Sequence, residues 1–124
     1  MIPSILPTLK PIPRIQATFG ASLTRIFPAD FVEFEPETPY TFWQVIAGQP
    51  ENRLSCPPNV DNFIVQFDVY GDSHNAKTAL DAASDLRTTI EELGFVQLSN
   101  ARFTRDPETR QYVVSFDVSW WEER

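Results

Sequence analysis

The chain has one cysteine, one histidine and four glycines in 124 residues, and each scarcity removes a class of chemistry. With Cys56 alone, neither an intrachain disulfide nor a cysteine-based metal site can form. His74 alone, with no second histidine to share the work, is a poor base for nucleophilic catalysis. Four glycines leave no P-loop and no dinucleotide fingerprint. No stretch approaches the ~18 consecutive apolar residues of a membrane span. Positive charge is also short: Lys and Arg total 10 against 17 Asp and Glu, a net charge of −7. Between Arg25 and Arg53 there is no Lys or Arg at all, while Asp30, Glu33, Glu35, Glu37 and Glu51 fall there. Tight nucleic-acid binding needs a cationic footprint to neutralise phosphate, and this chain lacks one.

What is present is apolar and aromatic: 42% of residues are hydrophobic and 13% are Phe, Trp or Tyr. A chain of this length and composition is expected to form one packed domain over residues 1–124. Ten Phe, three Trp and three Tyr are more than one small core requires. Surplus aromatic surface of this kind suits contact with another chain. The opening MIPSILPTLKPIPRI carries four prolines and no basic n-region, so it reads poorly as a signal peptide. The expectation is a protein that assembles where it is made.

Along the chain, apolar residues near helical spacing and four prolines predict two short helical pieces within 1–20, with Pro13 in a first turn and Gly20 as a stop. LTRIF (23–27) reads as a strand and PADFVEFEPETP (28–39) as an acidic loop. TFWQVIA (41–47) is a strand, apolar on both faces and so expected to be central. GQPENRLSCPPNVD (48–61), with three prolines, reads as a long loop, a length that is usually functional. In 62–70, Phe63, Val65, Phe67 and Val69 alternate with Asn62, Ile64, Gln66, Asp68 and Tyr70. A long helix is predicted over 74–93, capped by Ser73 and stopped by Gly94, with Ala76, Ala79, Leu80, Ala83, Leu86, Ile90 and Leu93 as its apolar stripe. Strands at 95–105 and 111–121 flank an Asp-Pro turn. The fold class that follows is α+β: one mainly antiparallel sheet with the long helix and the short N-terminal helical segment packed on one face.

The phrase FDV occurs twice, in NFIVQFDVYG and in QYVVSFDVSWW, placing Asp68 and Asp117 inside strands where Asp is disfavoured. In both strands the flanking Phe and Val point to the helix-covered side and the Asp to the other. That other face also carries Ile64, Tyr70, Val113 and Trp121, so it is neither plain core nor plain solvent. The simplest reading is an interface or a wet face. A catalytic carboxylate pair is the chemical alternative, requiring the two groups within ~5–10 Å and one raised pKa. His74, in the first helical turn, and Cys56, before Pro57 and Pro58, make a weaker candidate pair. The acids at 30–37 lack the ligand alternation and central Gly of a calcium loop.

Taken in order, PYTFWQVIAGQPENRLSCPP, NFIVQFDVYGDS, an Ala-rich helix and a hairpin ending YVVSFDVSWW resemble the tail-completion or tail-terminator proteins of long-tailed bacteriophages and prophages. IPSILPTLKPIPRIQATFGASLTRIFP is similar to that family's opening helix and first strand, so the resemblance covers about residues 2–121. It implies a non-enzymatic virion part without cofactor or metal. Such a part forms a ring, usually of six copies, on the head-proximal end of the tail tube. Its partners would be further copies of itself, the tail-tube protein and the head–neck connector, with DNA passing through and no membrane. On that footing Gln66, Asp68, Tyr70, Asp117 and Trp121 are the candidate subunit-contact or lumen face. Pro50, Glu51, Asn52, Arg53 and Leu54 form the candidate partner-binding loop. A head–tail joining or tail-tube protein would share this logic, and a small hydrolase or ligand-binding domain is the more distant reading.

Overall fold

The computed structural model describes residues 3–29, 36–53 and 56–123, with backbone alone at 48–60 and at 123. Helices α1 (Ile5–Leu9) and α2 (Pro13–Phe19) open the chain, as the proline spacing predicts. Strand β1 (Ile26–Pro28) follows, then β2 (Tyr40–Arg53) and β3 (Cys56–Gly71), helix α3 (Ala76–Glu92), β4 (Val96–Gln97), β5 (Arg102–Arg105) and β6 (Tyr112–Glu123).

The strands form one six-stranded sheet in the order β1-β2-β3-β6-β4, with β5 also paired to β6. β1 runs parallel to β2 and every other pairing is antiparallel. The mixed α+β class expected from the sequence is the observed one.

All three helices contribute to a core on one face of the sheet. Ile5, Leu9, Ile15 and Phe19 from the first two helices meet Val65, Phe67, Val69, Phe116, Val118 and Trp120 from β3 and β6. Each of these large side chains stabilises the fold by about 1.5–3 kcal/mol when withdrawn from water. Along β3 the alternation is strict: odd positions from 61 to 71 are buried and even positions from 62 to 70 are half-buried. α2 is tied to α3 by Arg14, whose guanidinium forks onto Glu92 at 3.0 and 3.3 Å, and by the Thr18 hydroxyl, which donates to Asp85 at 2.7 Å. The carboxylate of Glu92 raises the Arg14 pKa through that hydrogen bond and its charge.

Several expectations need correction. The loop expected at 48–61 is strand on both sides of residues 54–55: β2 and β3 continue as a long hairpin arm, with Pro50 opposite Asp61 and Arg53 opposite Cys56. Prolines suggest a loop because they cannot donate to a ladder. Here Pro57 and Pro58 lie past Val60, the last β3 residue paired with β6 among the described residues, and opposite a register shift in the β2–β3 ladder between Glu51 and Arg53. The cap of α3 is Asn75, whose side chain accepts from the Lys77 amide, and not Ser73. Its buried stripe is Ala79, Ala82, Ala83, Leu86, Thr89 and Ile90. Leu80 and Leu93 are 47% and 41% exposed, because the stripe is narrower than their spacing suggested. The single strand expected at 95–105 is broken into β4 and β5. Of the loop expected at 28–39, residues 30–35 lie outside the described residues, and Pro28 itself ends β1. β2, expected to be central, does lie between β1 and β3, but β1 flanks it only from Thr41 to Trp43.

Candidate functional site

Pleating sends alternate residues of β2, β3 and β6 to the face opposite the helices. The ladder aligns them in rows. Tyr40, Tyr70 and Val113 form one row; Phe42, Asp68 and Ser115 the next; then Gln44, Gln66 and Asp117. An extra residue in β2 between Val45 and Ala47 shifts the register there, a β-bulge that bends the strand as it enters the arm. Beyond it, Ala47, Ile64 and Ser119 align, followed by Gln49, Asn62 and Trp121. Four of the five candidate face residues, Gln66, Asp68, Tyr70 and Asp117, thus lie in three successive rows. Trp121 lies two rows further, 42% exposed at the root of the arm.

This face has three zones. At one end Tyr40 stacks on Tyr70 with centroids 5.0 Å apart, and Phe42 meets Tyr70 edge-on at 5.6 Å. The Tyr40 hydroxyl donates to Gln111 at 2.7 Å. Burial raises the Tyr70 phenol above its ordinary value, and the charges of Asp68 and Asp106 add to the shift. In the middle, one oxygen of Asp68 accepts from the Ser115 hydroxyl at 2.6 Å and from the Gln66 amide at 3.1 Å. Towards the arm, the Asn62 amide donates to Ser119 at 2.7 Å, between Ile64 and Trp121.

Asp117 is less well served. Its Oδ1 is buried without a hydrogen bond, and the nearest cation, Arg102 Nη2, stands 3.8 Å away. A buried acceptor without a donor is costly, and a partner that supplied one would gain that energy.

The two aspartates do not face one another. Asp68 is opposite Ser115 and Asp117 is opposite Gln66, so they are diagonal neighbours with an amide and a hydroxyl between them. His74 is exposed, and its backbone amide donates to Asp72. Cys56 begins β3 and His74 follows its far end. At about 3.3 Å per residue, a strand of this length holds the two roughly 50 Å apart along its path. They cannot form a nucleophile–base pair within one chain. Clefts beside Arg25 and Glu37 and beside Arg87 and Ser99 are lined by none of Asp68, Asp117 and His74.

Of the candidate partner-binding residues, Pro50, Glu51, Asn52 and Arg53 lie on the β2 side of the arm and Leu54 lies outside the described residues. Three contributors escaped the sequence reading. Tyr40 and Phe42 were legible as period-two neighbours on β2. Arg102 was not, because only the β5–β6 register brings it beside Asp117.

A sheet with one face buried under helices and the other carrying aromatic, polar and apolar zones has the composition of a protein–protein interface. The family model described as "Tail completion protein gp17" matches residues 3–123, and the chain belongs to that family of phage tail proteins. A comparison with curated proteins returns no match. No helix among the described residues is long and apolar enough to cross a membrane.

Proposed function

We propose that this virion component caps the head-proximal end of the tail tube as a closed ring, ends tube growth and presents the surface to which the filled head attaches. The observation that carries the reading is the uncovered sheet face together with the hairpin arm, set in a chain of the tail-completion family. In a ring, that face lies at a subunit contact or along the channel. The arm, running past the end of β6, reaches the tube or the neck. Six copies is the expected number. The excess of acid keeps passing DNA from adhering through like-charge repulsion. No step requires bond chemistry, so the protein acts as a structural part and not as an enzyme.

Removing the gene from the phage tests this. The expected result is filled heads without tails and tails of irregular length. Infectious particles with tails of normal length would refute the reading. Tails that stop at the right length but fail to join heads would favour a head–tail joining role instead.

A further inference from the structure

Beside the break between β4 and β5 lies an open cleft of about 560 Å³, lined by Arg87 and Glu91 of α3 and by Gln97, Leu98, Ser99 and Asn100. Its donors are oriented but unused. The Arg87 Nε–H donates to the Gln97 side chain at 2.7 Å, and the Gln97 amide in turn donates to the Ser99 carbonyl. This relay fixes the guanidinium in place. Neither Nη nitrogen of Arg87 has a hydrogen-bond or ion-pair partner among the described residues. The Ser99 hydroxyl oxygen is buried and also lacks a partner. A buried hydroxyl left unpaired is costly, and an arginine fork offers parallel N–H groups that match a carboxylate.

The strand beside the cleft is open too. Among the described residues β4 pairs with β6 alone, so its outer edge presents backbone groups to a strand from outside. Gln97 lies opposite buried Val118, on the helix-covered side with Arg87, and Val96 lies opposite Ser119 on the other side. Val96 and Leu98 are 56% and 50% exposed. Between Glu92 and Asp106 the chain has no acid, while exposed Arg102 and Arg105 fall there.

We propose that this edge binds an extended acidic segment of a different protein, which pairs along β4 and sets one carboxylate against the Arg87 fork and the Ser99 hydroxyl. Three features select this occupant. The free groups on Arg87 are donors only, so they require an acceptor. Glu91, one helical turn on, lines the same cleft: a bare anion meets its repulsion, whereas a peptide brings backbone amides that it accepts. Finally, the two sides of β4 differ, cationic on one and apolar on the other. A strand alternating acid with aliphatic residues matches both, because pleating sends neighbours to opposite sides. The site stands independently of the tail-cap reading.

NMR titration of the isotope-labelled full chain with a short blocked peptide of alternating Val and Glu tests the proposal. Expected are saturable shifts of the Val96, Gln97, Leu98, Ser99 and Asn100 amides and of the Arg87 Nε–H signal. The counterpart peptide of Val and Gln should bind roughly tenfold more weakly. Arg87→Lys keeps the charge without the fork and should weaken binding of the acidic peptide by a similar factor. Ser99→Ala, which leaves the Arg87–Gln97 bond in place, should weaken it as well. Equal binding of the two peptides, or no shifts at residues 96–100, would overturn the proposal. Acetate giving the same shifts at the same concentrations would also overturn it, in favour of a small-anion site. So would shifts of these amides on concentrating the protein alone, which would make a second copy the occupant. None of these outcomes bears on tail capping, which removal of the gene reads separately.

Discussion

Gly71 on β3 packs against Ala79 on α3 so closely that a β-carbon at position 71 would lie 2.4 Å from the Ala79 amide nitrogen and 2.6 Å from its β-carbon. This is where the long helix touches the sheet, and it explains why the buried stripe is rich in Ala. Gly71→Ala forces helix and strand apart. The expected cost is about 1–3 kcal/mol, read as a lower urea midpoint with the fold retained.

Trp120 is the largest fully buried side chain, stacked on Phe95 with centroids 4.0 Å apart. Its indole N–H donates to Glu122 at 2.8 Å, and the same Glu122 oxygen accepts from the Ser4 amide at 2.6 Å, just before α1. Trp120→Ala should cost about 3–5 kcal/mol and speed amide exchange in α1. Unchanged protection of α1 would show that Glu122 does not need the indole to hold the N-terminal helix.

Trp121, the next residue, faces the opposite way, and its prediction is opposite too. Trp121→Ser should shift stability by no more than about 0.5 kcal/mol. If the sheet face is the contact surface, the variant should still lose binding to tails in a sedimentation assay. Full binding would remove Trp121 from the contact.

Tyr70 predicts a pH dependence. Burial, helped by Asp68 and then Asp106, holds its phenol above the usual value near 10. The folded protein therefore keeps this proton to higher pH than the unfolded chain does. The stabilisation is complete below about pH 10 and is lost as pH rises through the folded value. Denaturation midpoints should drop on going from about pH 9 to about pH 11, and Tyr70→Phe should flatten the drop.

The arm can be separated from the domain. Replacing residues 51–60 with Asn-Gly supplies a two-residue hairpin turn between Pro50 and Asp61, which already face one another. The helix-covered core lies outside the deleted stretch, so the circular dichroism spectrum and cooperative unfolding should persist. Tail capping in vitro should fail. Retained capping would place the tube contact elsewhere on the chain.

Much of this protein follows from its sequence alone. Period-two alternation in 62–70 and 111–121 determines which side chains enter the core, because pleating sends neighbours to opposite faces. Gly94, with φ of +94°, ends the long helix as its place in the sequence predicts. The Asp106 side chain accepts from the Glu108 and Thr109 amides, so the Asp-Pro turn is local chemistry and equally legible. The tertiary structure decided what depends on partners distant in sequence. Prolines 50, 57 and 58 read as loop because local rules count only the missing donors; Pro57 and Pro58 lie past the last β6 partner among the described residues and opposite a register shift in the β2–β3 ladder. Asp68 and Asp117 look equivalent in their repeated phrase, yet register gives Asp68 the hydroxyl of Ser115 and leaves an oxygen of Asp117 without a donor. Register is set by the whole sheet, and a single strand carries no record of what lies opposite it.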